Sequence, residues 1–193
     1  MINNTAGTNE LMAASITTAK STQEKVKGGG VFTLKCFDKD GNLKWESVSP
    51  NLVVNVGLQD MNAKYFSGSA YTAAWYIGLY GAAASNTPAA GDTMSSHAGW
   101  TEVVDYSQAT RVAVTFGTAT TADPSVISNS GSPATFTINA TTTVGGAFLT
   151  TGSAKNGTAG TLFSASDFAA PGDRAVVSAD TLTVTYQFSL DAA

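Results

Sequence analysis

The ten residues Thr181 to Leu190, TLTVTYQFSL, constrain the fold more than any other stretch of this chain. Leu182, Val184, Tyr186, Phe188 and Leu190 alternate with Thr183, Thr185, Gln187 and Ser189. Side chains of a strand point alternately to its two faces, so this pattern predicts a strand with one buried and one wet face. On a helix the same apolar residues would be spread around the whole circumference. A strand of this kind needs a sheet beside it and a second layer over its apolar face.

Other stretches can supply that sheet. In VFTLKCF, residues 31–37, Phe32, Leu34 and Cys36 alternate with Val31, Thr33, Lys35 and Phe37, and both faces carry apolar groups. Further strands are predicted at 43–48, 73–80, 102–106, 111–116, 134–140, 144–150 and 174–178. Stretches rich in Gly, Ala, Ser, Thr and Pro separate them at 81–99, 117–133 and 151–160. Short strands at this spacing predict an all-β domain over residues 31–193, a β-sandwich of jelly-roll or other Greek-key type. One short helix is predicted in NVGLQDMNAKYFSGS: Asn55 can cap it, Leu58, Met61, Tyr65 and Phe66 share a face that reads as core, and Gly68 can end it.

Between the first two strands lies Asp38-Lys39-Asp40-Gly41-Asn42, whose oxygen-rich side chains raise the question of calcium. An EF-hand loop places its glycine five residues after the first aspartate and stands between helices. Here Gly41 follows Asp38 by three and strands flank it, so Asp-Gly marks a hairpin. An oxygen-only calcium site built by other loops stays open at this point.

Residues 1–30 read differently. Scattered apolar residues among many Ser and Thr lead into Gly28–Gly30, which is costly to order and reads as a hinge. The segment is either a tail without fixed structure or an arm that orders on a partner. In the second case Leu11, Met12, Ile16 and Val26 are its partner-binding residues.

Chemistry is scarce in this sequence. Charged residues make up 12% of the chain, about half the usual share, and the net charge is −4. No cluster of Arg and Lys with interleaved aromatics is present, which argues against a nucleic-acid partner. The longest apolar run, AAWYIGLYGAAA from Ala73, is too short for a membrane helix, and the N-terminus shows no secretory leader. The single cysteine, Cys36, falls in an alternating strand and is expected to be buried and inert. His97, near Asp92, Ser95 and Ser96, could be assembled into a hydrolase, but no Gly-x-Ser-x-Gly elbow accompanies it. One His and one Cys cannot make a zinc site and the carboxylates are scattered, so beyond that open calcium possibility no metal or other cofactor is expected. Trp45, Trp75 and Trp100 with Tyr71, Tyr76 and Tyr80 could line a sugar-binding face or fill the core.

The run FDKDGNLKWE…NLVVNVGLQDMNAKYFSGSAYTAAWYIGL, Phe37 to Leu79, resembles a group of tailed-bacteriophage virion proteins. So do WTEVVDYSQATRVAVTFG, ATFTINATTTVGGAFLTT and GTLFSA…VVSADTLTVTYQFSL, which extends the resemblance over most of the chain after Gly30. It implies a small, β-rich structural component of the particle, and the nearest functional analogy is a capsid decoration, or cement, protein. Such a protein is not an enzyme and needs no cofactor. Its partners would be the major capsid protein and neighbouring copies of itself, as a homo-oligomer on the capsid surface of virions assembled in the bacterial cytoplasm. The alternative is a tail or fibre component with a β-sandwich that binds carbohydrate or another host structure. No functional residue is carried over from the family.

Overall fold

The computed structural model describes residues 26–71, 73–81, 87–168 and 172–192. In chain order the elements are β1 (Val26–Phe37), β2 (Leu43–Pro50), β3 (Leu52–Val53), α1 (Asn55–Phe66), β4 (Tyr76–Gly81), β5 (Thr101–Val103), β6 (Val112–Ala113), β7 (Ser125–Ser128), β8 (Ala134–Thr137), β9 (Thr142–Val144), β10 (Gly146–Thr150), β11 (Leu162–Asp167), β12 (Arg174–Val176) and β13 (Thr181–Ala192). The described chain is thus mostly strand, with one short helix.

The alternating stretch is the heart of the first sheet. β13 pairs antiparallel with β1 along its full length, from Val26 opposite Ala192 to Phe37 opposite Thr181. β2 continues the sheet beyond β1. On its other edge β13 is met by two short strands in succession, β8 against Thr181–Val184 and β7 against Gln187–Leu190. Asn129 bridges the step between them: its amide donates to the Val184 carbonyl and its side-chain oxygen accepts the Tyr186 N–H. A buried side chain thereby satisfies backbone groups at the step between the two short strands.

The pairing corrects one expectation. Gly28, Gly29 and Gly30 are no hinge; they are strand residues opposite Leu190, Ser189 and Phe188. Gly30 also has a packing reason, since a Cβ there would lie 2.7 Å from the Gln187 carbonyl oxygen. The first strand therefore already includes Val26–Gly30, ahead of the boundary at Val31 that the glycines suggest.

The second sheet runs β3-β11-β10-β4, and β4 carries both β5 and β6 on its far edge. β9 and β12 form a separate pair. Phe32 and Leu34 of β1 and Leu182 and Val184 of β13 join Ile77 and Leu79 of β4 and Ala147 and Leu149 of β10 in one core. The opposite face of the second sheet is buried as well. There Tyr80, Phe148, Leu162 and Ala165 pack with Val54, Met94 and Trp100 from the connecting segments. Burial on both faces explains why β4 and β10 read as continuous apolar runs instead of alternating ones. Gly78 permits this packing, because a Cβ would fall 2.2 Å from the Phe148 ring.

The Asp-Gly stretch is a turn. Asp38 accepts the backbone N–H groups of Asp40 and Asn42, both at 2.9 Å, and Gly41 takes φ 84°, which a residue with a Cβ rarely adopts.

Candidate interaction surface

Helix α1 decides where the exposed apolar surface lies. It docks on the second sheet through Gly57, where a Cβ would lie 2.4 Å from the Phe163 carbonyl oxygen. Val54 occupies the cap position with extended backbone, and its N–H donates to the Phe163 carbonyl at 3.1 Å. Asn55 is the first helical residue, not the cap, and no side chain caps this end. Gly68, at φ 62°, closes the other end as its position suggests.

Of the four residues predicted to form the core face of α1, Met61 packs against the core, whereas Leu58, Tyr65 and Phe66 are exposed. Successive helical residues are rotated by about 100°, and close approach at Gly57 turns the stripe of Leu58, Met61, Tyr65 and Phe66 towards its margin. Met61 is half-buried, whereas Tyr65 is 84% and Phe66 78% exposed. Their rings meet edge to face with centroids 4.9 Å apart.

Met61, Tyr65 and Phe66 form one wall of a groove of about 660 Å³. Tyr71 and Trp75, with Val26 of β1 and Leu190 of β13, line the rest of it. Trp75 donates its indole N–H to the Tyr71 hydroxyl at 2.8 Å and packs edge-on against Phe163. The Lys64 ammonium donates to the Ala70 carbonyl at 3.0 Å and stands over the Tyr71 ring. Both contacts hold the segment after the helix against the groove. Val26 is 75% exposed at the rim. A contiguous aromatic patch of this kind is the usual mark of a surface made to be covered.

Two sets of buried titratable groups elsewhere tie loops and strands together. Arg111 is fully buried and forms a bidentate pair with Glu102 at 2.8 and 2.7 Å. It also donates to the carbonyls of Gly152 and Gly157, while Glu102 accepts the Asn156 N–H. The pair thus clamps a Gly-rich loop. Asp180 accepts from the Lys44 ammonium, the Val177 N–H and the Cys36 thiol. Burial and then the Asp180 carboxylate push the Cys36 thiol up to about 12, so it is a buried, protonated group as its strand position suggests.

His97 is held by Trp100. Its ring stacks on Trp100 with centroids 3.8 Å apart, and its Nδ1 lies 3.0 Å from the Trp100 carbonyl. The Asp92 carboxylate accepts the Trp100 indole N–H and the Ala89 N–H, and Ser95 pairs with Thr93. Among the described residues, no three His, Cys, Asp or Glu side chains gather where they could hold a metal ion. No described helix is long and apolar enough to cross a membrane.

Of the residues proposed from sequence for partner binding, Val26 lies on the groove, and Leu11, Met12 and Ile16 lie outside the described residues. The aromatic set divides. Tyr80 and Trp100 are buried against Phe148, Trp45 packs edge-on to Phe168, and Tyr71 and Trp75 line the groove. Tyr65 and Phe66 were missed as surface residues, and no local signal marks them, because adjacent apolar residues on a helix commonly share one buried stripe. No family model matches this chain, and neither a curated protein nor a solved structure does.

Proposed function

We propose that the chain is a non-enzymatic virion structural protein of a tailed bacteriophage, a capsid decoration (cement) protein that binds across major capsid subunits and stabilises the head. Its body is a β-sandwich of jelly-roll or Greek-key type, its site of action is the capsid surface, and it acts as an oligomer. The observation that carries this reading, beside the resemblance in sequence, is the apolar groove with Tyr65 and Phe66 bare on its wall. Low surface charge supports it too, since little charge must be stripped of water when such a face is covered. A cement protein stabilises a shell by binding the assembled lattice better than free subunits. Val26, with Leu11, Met12 and Ile16 of the N-terminal segment, extends the apolar contact to neighbours on the lattice.

A second reading draws on the same groove. Tyr71 and Trp75 beside Asp60 and Asn62 combine flat apolar rings with polar partners, as a carbohydrate-binding tail or fibre component requires. Attachment to isolated tailed-phage heads that lack this protein separates the two. On the cement reading the full chain co-sediments with heads, and the Tyr65→Ser/Phe66→Ser double exchange weakens retention at least tenfold. Binding to a glycan array without retention on heads, or cryo-EM density for the protein on the tail, would move the assignment to the second reading.

A further inference from the structure

We propose that in the free protein the groove is the seat of the chain's own segment Leu11–Ile16. The chain outside the described structure ends where the groove begins: Val26, the first described residue, stands on its rim. An open groove with Tyr65 and Phe66 about four-fifths exposed would drive free copies to associate. The nearest apolar material along the chain is Leu11, Met12 and Ile16.

The tether permits the seat. Residues 17–25 can span up to about 30 Å when extended, whereas the 12-residue α1 is roughly 18 Å long. The segment can therefore leave Val26, turn back and reach any part of the helical wall. A tether of this length also sets an effective concentration in the millimolar range. At micromolar protein, that favours a chain's own segment over the same segment of a second copy. Attachment to a partner through this face would then exchange one apolar cover for another.

Disulfide trapping in the full chain tests this on free protein, so its outcome is independent of whether the protein binds capsids. The variant Met12→Cys/Tyr65→Cys is compared with Met12→Cys/Leu43→Cys. Leu43 is an exposed residue beside Phe37, at the end of β1 remote from Val26. It lies about 36 Å along the strand from Val26, within the roughly 45 Å reach of a 14-residue tether, so random collision samples both positions. Cys36 is buried and does not compete. The expected result is an intrachain link to position 65 forming at least tenfold faster than to position 43, in a monomeric product. Equal rates would overturn the proposal. Mixed products from isotopically light and heavy chains would overturn it too, in favour of a second copy in the groove.

Discussion

Arg111 shows what a single buried charge does in this protein. Its guanidinium holds Glu102 on one side and two loop carbonyls on the other, with almost no water access. Arg111→Met leaves the Glu102 carboxylate buried without its partner and should cost about 3–5 kcal/mol in urea denaturation. The double exchange Glu102→Leu/Arg111→Met removes both charges and should cost clearly less; equal losses would show that the packing matters and the pairing does not. Cys36 offers a second check. With its thiol raised to about 12, native protein at pH 8 should resist thiol reagents that modify it fully after denaturation. Asp180 gives a pH dependence. Burial raises its carboxyl, but hydrogen bonds from Lys44 and the Val177 N–H outweigh that and hold it below the ordinary carboxylate range. A depressed folded pKa contributes stability that is fully present above the unfolded value of about 3.9 and lost as pH falls through the folded one. Acid titration of stability should therefore be shallower in Asp180→Asn than in the parent below about pH 4.

Helix α1 owes its place to the absence of a side chain at Gly57. Alanine is the better helix former, by about 1 kcal/mol, yet a Cβ at this position would run into the Phe163 carbonyl. Gly57→Ala should destabilise by about 1–3 kcal/mol through overpacking, and thermal melting measures it. A gain in stability would mean that the helix is free to lift off the sheet. The aromatic wall behaves in the opposite way. Tyr65→Ser and Phe66→Ser remove exposed rings and should leave stability within about 0.5 kcal/mol. Loss of attachment in those variants can therefore be ascribed to the surface.

The joining of β1 and β13 ties the first and last described strands into one ladder, and it sets where the chain can be shortened. Removing residues 1–25 keeps every pair of that ladder and should leave the melting temperature within a few degrees. Removing residues 1–30 deletes the pairs from Val26 to Gly30, five of the twelve, and uncovers Phe188 and Leu190. That truncation should lower the melting temperature distinctly or abolish folding. If both truncations melt alike, the glycine stretch contributes nothing to the ladder and acts as the hinge its composition suggests.

Period-two alternation was enough to place the strands over residues 31–37 and 181–190, and in the second case the buried face of Leu182, Val184 and Tyr186, because the pleat forces that pattern locally. The Asp-Gly hairpin and Gly68 as helix end were legible for the same local reason. β7 and β11 were not, since short strands rich in serine are specified by the neighbours that pair with them. Nor could the order of residues reveal that Gly28–Gly30 lie opposite β13, or that Gly57 rotates α1 and leaves Tyr65 and Phe66 bare. Alternation and turn chemistry act between adjacent residues and are written in the sequence. Which face of an element is covered depends on partners more than a hundred residues away, and only the tertiary structure brings those together.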